Sequence, residues 1–191
     1  MSEPDVIAVA LQCAEALEVA GVGYFLGGSL ASSLQGEPRA TNDIDFVIDL
    51  RLPQLPAFVQ ALGPDFDVDE ESLRDAVRQG ASWNIFHLPS VTKVDLFLLR
   101  PGDFDRSEFE RRRRVVLTPE GKGLFIKSPE DSVLRKLLWF REGGELSTTQ
   151  WRDIVQVLRV TGGQMELGYL DAWAERLGVA PLLARAWTVA K

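Results

Sequence analysis

Two short apolar runs with charged side chains at alternate positions constrain this chain more than any other feature. They are Asp43-Ile44-Asp45-Phe46-Val47-Ile48 and Lys93-Val94-Asp95-Leu96-Phe97-Leu98. Successive strand side chains face opposite ways, so Ile44, Phe46 and Ile48 share one face and Asp43, Asp45 and Val47 the other. That pattern fits half-buried strands. Around them, apolar residues at helical spacing (Val6, Val9, Ala10, Cys13, Leu17) predict a helix over 5–20 that stops at Gly21. Val22 to Leu26 predicts a short buried strand and Ser29 to Leu34 a short helix. Helices are also expected at 53–62 and 70–78. Ser82–His87 and Thr92–Leu99 read as a hairpin turning at Pro89-Ser90. Short extended pieces follow at 115–117 and 123–126.

The character changes near Lys127. Ser128-Pro129-Glu130-Asp131 is a helix start, with Ser as cap, Pro in the first turn and acids behind it. The remainder predicts helices at 129–141, 148–160, 166–177 and 181–189, broken at Gly143-Gly144, Gly162-Gly163 and Gly178. The expected fold class is α+β: a mixed sheet core with flanking helices over 1–127, then a small helical region over 128–191. Composition narrows the functional classes. One cysteine (Cys13) excludes a disulfide framework, and one histidine (His87) excludes His-rich metal sites. With 21 basic and 28 acidic residues the net charge is −7, which argues against tight generic nucleic-acid binding. No run reaches the 18 or so apolar residues of a membrane span, and the N-terminus lacks a basic signal-peptide region, so a cytoplasmic protein is expected.

Three features carry chemistry. Gly27-Gly28-Ser29 follows a strand and opens a helix, a turn in which backbone N–H groups approach a phosphate closely; it is also a common structural turn. Asp43 and Asp45 project from one strand face, roughly 6–7 Å apart at the backbone. Their repulsion is relieved by a divalent cation with hard oxygen ligands, Mg²⁺ or Mn²⁺, or by water at a solvated edge. Asp95 within an apolar strand needs an ion-pair partner or a metal. If its strand lies beside Asp43–Ile48, it completes a three-carboxylate cluster for two metals, one activating a hydroxyl and one binding a triphosphate.

Together, Leu26-Gly27-Gly28-Ser29, Arg39-Ala40-Thr41-Asn42-Asp43-Ile44-Asp45 and Asp95 resemble the minimal nucleotidyltransferases of the DNA polymerase β superfamily. Within it, the chain is most similar to the AbiEii-type abortive-infection and toxin–antitoxin group. The resemblance covers roughly residues 20–100, and more weakly extends to about 155. It implies transfer of a nucleoside monophosphate from an NTP to an acceptor hydroxyl, with release of pyrophosphate. It also implies that Gly27, Gly28 and Ser29 hold the phosphates and that Asp43 and Asp45 bind both metals. Asp95 would bind the catalytic metal and act as, or position, the base. An antitoxin-like partner is the further implication; the acceptor (tRNA, a protein or a small molecule) stays open.

Arg39 and Thr41, just before the paired carboxylates, suit phosphate contacts, though Arg39 also suits an ion pair with Glu37 or Asp43. Lys136 and Asp153 resemble a Lys and an Asp that face the nucleotide in the AbiEii-type group; an inter-helix salt bridge is the other reading. The group's longer Lys-x-x-Asp-x-x-Asp pattern is absent. Arg111–Arg114 is the single dense basic run, with acidic neighbours able to neutralise it. Trp139, Trp151, Trp173 and Trp187 read as helical core. The competing functional class is a non-catalytic nucleotide-binding, regulatory or interaction module on the same fold.

Overall fold

The computed structural model describes residues 5–38 and 40–191. Two compact units account for the chain: Met1–Leu30 with Thr41–Ile126, and Ala31–Ala40 with Lys127–Lys191. The first unit is built on seven strands, β1 (Gly23–Leu26), β2 (Ile44–Asp49), β3 (Phe66–Asp67), β4 (Trp83–His87), β5 (Thr92–Leu98), β6 (Arg113–Val116) and β7 (Gly123–Ile126). Their order across the sheet is β3-β4-β5-β2-β1-β7-β6. β2 and β5 are parallel, as are β1 and β7; the other pairs are antiparallel. A mixed sheet of this kind, flanked by helices, is the expected α+β class.

One face of the sheet is the core. Tyr24, Leu26, Ile44, Phe46, Ile48, Val94 and Leu96 are buried, and the Tyr24 and Phe46 rings meet edge to face at 5.6 Å. The helices α1 (Val6–Val19) and α3 (Leu55–Leu62) pack together, and α1 also touches β1, β5 and β7. Asp5 caps α1, its side chain accepting from the Ala8 amide at 3.1 Å. A ten-residue helix, α4 (Glu70–Gln79), is capped by Asp69 and ends at Gly80 in the left-handed region.

Two elements escape sequence reading. β3 is only two residues long. The helix α5 (Asp103–Glu110) is mostly polar and buries just Phe104 and Glu108, so it shows little periodicity. β2 also starts one residue later than expected, which places Asp43 at the mouth of the strand rather than in it.

The second unit holds α6 (Pro129–Glu142), α7 (Thr148–Thr161), α8 (Leu167–Arg176) and α9 (Ala180–Ala190), with α6 packed on α7 and α8, and α9 on α7 and α8. Ser128 caps α6 by accepting from the Asp131 amide, and Ser147 caps α7 by accepting from Gln150. The aromatic-core expectation is corrected here. Trp151, Trp173 and Trp187 are half-buried and Trp139 is 42% exposed. Aliphatics such as Val133, Leu134, Leu137, Ile154, Leu158 and Leu170 fill the interior instead. The large indole keeps one edge at the surface. No described helix is long and apolar enough to cross a membrane.

Candidate active site

The sheet's second face carries the candidate carboxylates. Parallel pairing of β2 and β5 sets Asp45 directly across from Asp95, about 4.8 Å away at the backbone. Both carboxylates are therefore on one side, opposite the buried Ile44, Phe46, Val94 and Leu96. Asp43 lies one residue before the Ile44–Val94 pair and is exposed; its amide donates to Thr41 Oγ1 at 3.4 Å. Thr41 thus shapes the approach to the strand.

The glycine turn meets these carboxylates. The Gly27 amide donates to the Asp45 carbonyl at 2.8 Å. Gly28 opens an eight-residue helix, α2 (Gly28–Gln35), with φ +60. A Cβ on Gly28 would lie 1.8 Å from Asp45 Oδ2. The Asp45 carboxylate therefore rests against the Gly28 backbone at the helix start, with Ser29 next in line. An unhindered backbone turn at a helix N-terminus attracts anions. The same turn here abuts an acidic row, and a cation is required to reconcile an anionic ligand with it.

Lys93 supplies a cation in this structure. Two residues from Asp95 on the same strand face, its Nζ donates to Asp95 Oδ2 at 2.8 Å. The Asp95 side chain is 13% exposed and that of Lys93 41%. The hydrogen bond to Asp95 holds the Lys93 pKa above its ordinary value; desolvation opposes this, and the charges of Asp95, Asp43 and Asp45 add to it. All three carboxylates thus act on one ammonium. Among the described residues no three acidic, His or Cys side chains converge as a ready-made metal group. The chemistry of Asp45 and Asp95, two carboxylates in register with Asp43 at the strand mouth, would suit a hard cation, and Lys93 supplies positive charge there. Sequence reading missed Lys93, although its alternation with Asp95 was visible.

The remaining candidates are placed as follows. Arg39 lies outside the described residues. Lys136 on α6 and Asp153 on α7 form a 2.9 Å ion pair within the second unit, with both side chains buried. Gln150 Oε1 accepts from the same Nζ at 3.4 Å. The basic run is engaged within its own unit. Arg112 stacks over Phe109 at 4.1 Å and donates to the Phe109 carbonyl. Arg114 pairs with Glu18 at 3.3 Å, and Tyr24 donates to the same Glu18 oxygen at 2.6 Å. His87 closes β4, its Nδ1 2.7 Å from Ser90 Oγ in the turn that follows.

No family model and no curated protein matches the sequence. Solved structures do match in fold. An antigenic nucleotidyltransferase-like protein from Paracoccidioides brasiliensis is 19% identical, with 99% of this chain and 94% of that one covered and a TM-score of 0.58. The antibiotic-resistance factor ANT(2'')-Ia is 15% identical, with 97% and 98% covered and a TM-score of 0.56. The lincosamide antibiotic adenylyltransferase LnuA, solved with lincomycin, is 15% identical, with 83% and 98% covered and a TM-score of 0.51. The α+β architecture of this chain is therefore that of the nucleotidyltransferase fold.

Proposed function

We propose that the chain is a divalent-metal-dependent nucleotidyltransferase that moves a nucleoside monophosphate from an NTP to an acceptor hydroxyl. The observation that carries this is the register of Asp45 against Asp95 beside the Gly28 turn, on a sheet of the nucleotidyltransferase fold. In this reading Asp43, Asp45 and Asp95 hold Mg²⁺ or Mn²⁺. When bound, the metal neutralises the triphosphate and acidifies the acceptor hydroxyl. The amides of Gly27, Gly28 and Ser29 hold the phosphates, with Thr41 beside the strand mouth; a phosphate contact by Arg39 is part of the same reading. Asp95 takes the hydroxyl proton. The acceptor oxygen bonds to the α-phosphorus as the bond to the bridging oxygen breaks, and pyrophosphate leaves. Positioning and charge neutralisation account for most of the rate in such a transfer. Lys136 and Asp153, the two helical candidates, pair with each other inside the helical unit and are given no step in this transfer.

A small hydroxyl-bearing molecule is the acceptor class this reading favours. LnuA is an adenylyltransferase of lincosamides, and ANT(2'')-Ia is solved with adenylyl-2''-tobramycin. The engagement of Arg112 and Arg114 within the fold supports the same choice over RNA. Membership of the AbiEii-type group, an antitoxin partner and a cytoplasmic location belong to the same proposal. A second reading, nucleotide binding without turnover, draws on the Lys93–Asp95 pair, which occupies the base.

The test is incubation with each α-³²P-labelled NTP and Mg²⁺ or Mn²⁺, with an aminoglycoside and lincosamide panel, tRNA or cell lysate as acceptor. Label transferred to a small molecule, and absent in Asp43→Ala/Asp45→Ala, establishes the proposal. Label on tRNA keeps the enzyme but overturns the acceptor class. Metal-dependent NTP binding without transfer to any acceptor favours the second reading.

A further inference from the structure

Lys93 sits in the acidic row for a physical reason. Asp95 is largely buried in an apolar strand, where a bare carboxylate is costly. A Lys two positions earlier projects to the same face, so its flexible stem brings the ammonium onto Asp95 without any change in the backbone. Asp45, in register with Asp95 on the neighbouring strand, sets a second carboxylate assigned to the metal beside the same pair. One tethered charge thus balances a part of the cluster that a divalent ion would balance more fully. The pair is also easy to break. The Lys93 side chain is 41% exposed, and ion pairs at such sites contribute only about 0–1 kcal/mol.

We propose that Lys93 is a built-in cation that occupies the carboxylate cluster until nucleotide arrives, so that the divalent metal binds together with NTP rather than before it. This rests on the nucleotidyltransferase reading. A metal ion alone must displace the ammonium from Asp95 and share the cluster with a like charge. A metal ion arriving with a triphosphate brings new anionic oxygens, onto which the displaced ammonium transfers. Lys93 is then a positioning residue that penalises metal binding without nucleotide and contributes to nucleotide binding once metal is present. The coupling is reciprocal, because each ligand changes the other's affinity by the same factor.

Titration of the full-length protein with Mn²⁺, followed by the electron paramagnetic resonance signal of the free ion, tests this. Titrations are run without nucleotide and with each α,β-methylene NTP. Wild type binds Mn²⁺ weakly alone and more tightly with nucleotide. Lys93→Met binds Mn²⁺ alone roughly three- to tenfold more tightly than wild type, the range expected when a nearby like charge is removed and Asp95 is released. Its enhancement by nucleotide shrinks by at least that factor. Lys93→Arg keeps the wild-type pattern. Lys93→Gln serves if the Met variant does not fold. A lysine that only stabilises β5 would lower the melting temperature of its variants and leave Mn²⁺ affinity unchanged. Equal Mn²⁺ affinity in wild type, Lys93→Met and Lys93→Gln overturns the inference while leaving the enzyme reading intact. Mn²⁺ binding no stronger than in an Asp45→Asn/Asp95→Asn control, even with nucleotide, overturns both.

Discussion

Gly28 answers two demands at once, and they can be separated. Its φ of +60 lies in the left-handed region, and its missing Cβ leaves room for the Asp45 carboxylate, which a Cβ would approach to 1.8 Å. Gly28→Ala is expected to cost about 1–3 kcal/mol of stability, read as a lower midpoint of urea unfolding. It also displaces Asp45, so turnover falls further than the loss of folded protein explains. Asp45→Asn keeps the shape and removes the charge. It is expected to lower turnover by at least about 100-fold with an unchanged melting temperature; wild-type turnover would remove Asp45 from the site. Cys13 makes a different kind of prediction. It is fully buried, and burial pushes its thiol from 9.0 up to about 12. Below pH 9 the thiol is neutral folded and unfolded, so its contribution is intact. From pH 9 to about 12 the unfolded thiol ionises while the folded one stays protonated, and stability falls with rising pH. The stability advantage of wild type over Cys13→Ala should therefore shrink between pH 9 and 11 in denaturant unfolding. Tyr24, raised by burial and by its bond to Glu18, is present in both proteins and cancels from the difference.

At the scale of elements, a buried ion pair, Lys136–Asp153, links α6 and α7 in the helical unit. Both side chains are about 5% exposed, so neither charge can turn to water if its partner is lost. Lys136→Met or Asp153→Asn alone is expected to cost roughly 3–5 kcal/mol, whereas Lys136→Met/Asp153→Leu recovers most of that loss. Thermal unfolding of the four proteins measures the coupling. Additive losses would mean that the pair is not a unit. The same elements show what was legible in the sequence. The helix start at Ser128 is marked by its cap residue, and β2 by alternation, because these signals are local. The pairing of β2 with β5, which sets Asp45 beside Asp95, is not local. Alternation shows which way Asp45 and Asp95 point along their own strands, but adjacency depends on the crossover between them. β3 and α5 carry too few buried side chains for any period to show. Lys93 was overlooked because a lysine in an exposed strand position ordinarily needs no partner; its meaning comes from Asp95 two residues on. Lys136 and Asp153 were visible as candidates, but only the packing of α6 on α7 shows that they meet.

For the whole molecule, charge decides which acceptors can approach. A net charge of −7 opposes a polyanion at long range, so RNA binding would need a concentrated local patch. The four arginines at 111–114 are the one dense basic run in the sequence, and two of them, Arg112 and Arg114, are engaged within the fold. Arg112 is stacked on Phe109 and bonded to its carbonyl, and Arg114 is held by Glu18. In β6 only alternate residues share a face, which further divides the run. Arg112→Ser/Arg114→Ser should therefore lower the melting temperature while leaving tRNA retention on filters unchanged. Wild-type affinity for tRNA should be no tighter than the non-specific range of about 10⁻⁴ to 10⁻⁶ M at physiological salt. A protein whose acceptor were tRNA would bind more tightly than that. Its affinity would fall steeply between 50 and 200 mM salt, and the double variant would flatten that slope by about two counter-ions. Observing that slope would assign the arginines to RNA and overturn the small-molecule acceptor. Its absence, alongside label transfer to a small hydroxyl-bearing compound, supports the small-molecule acceptor.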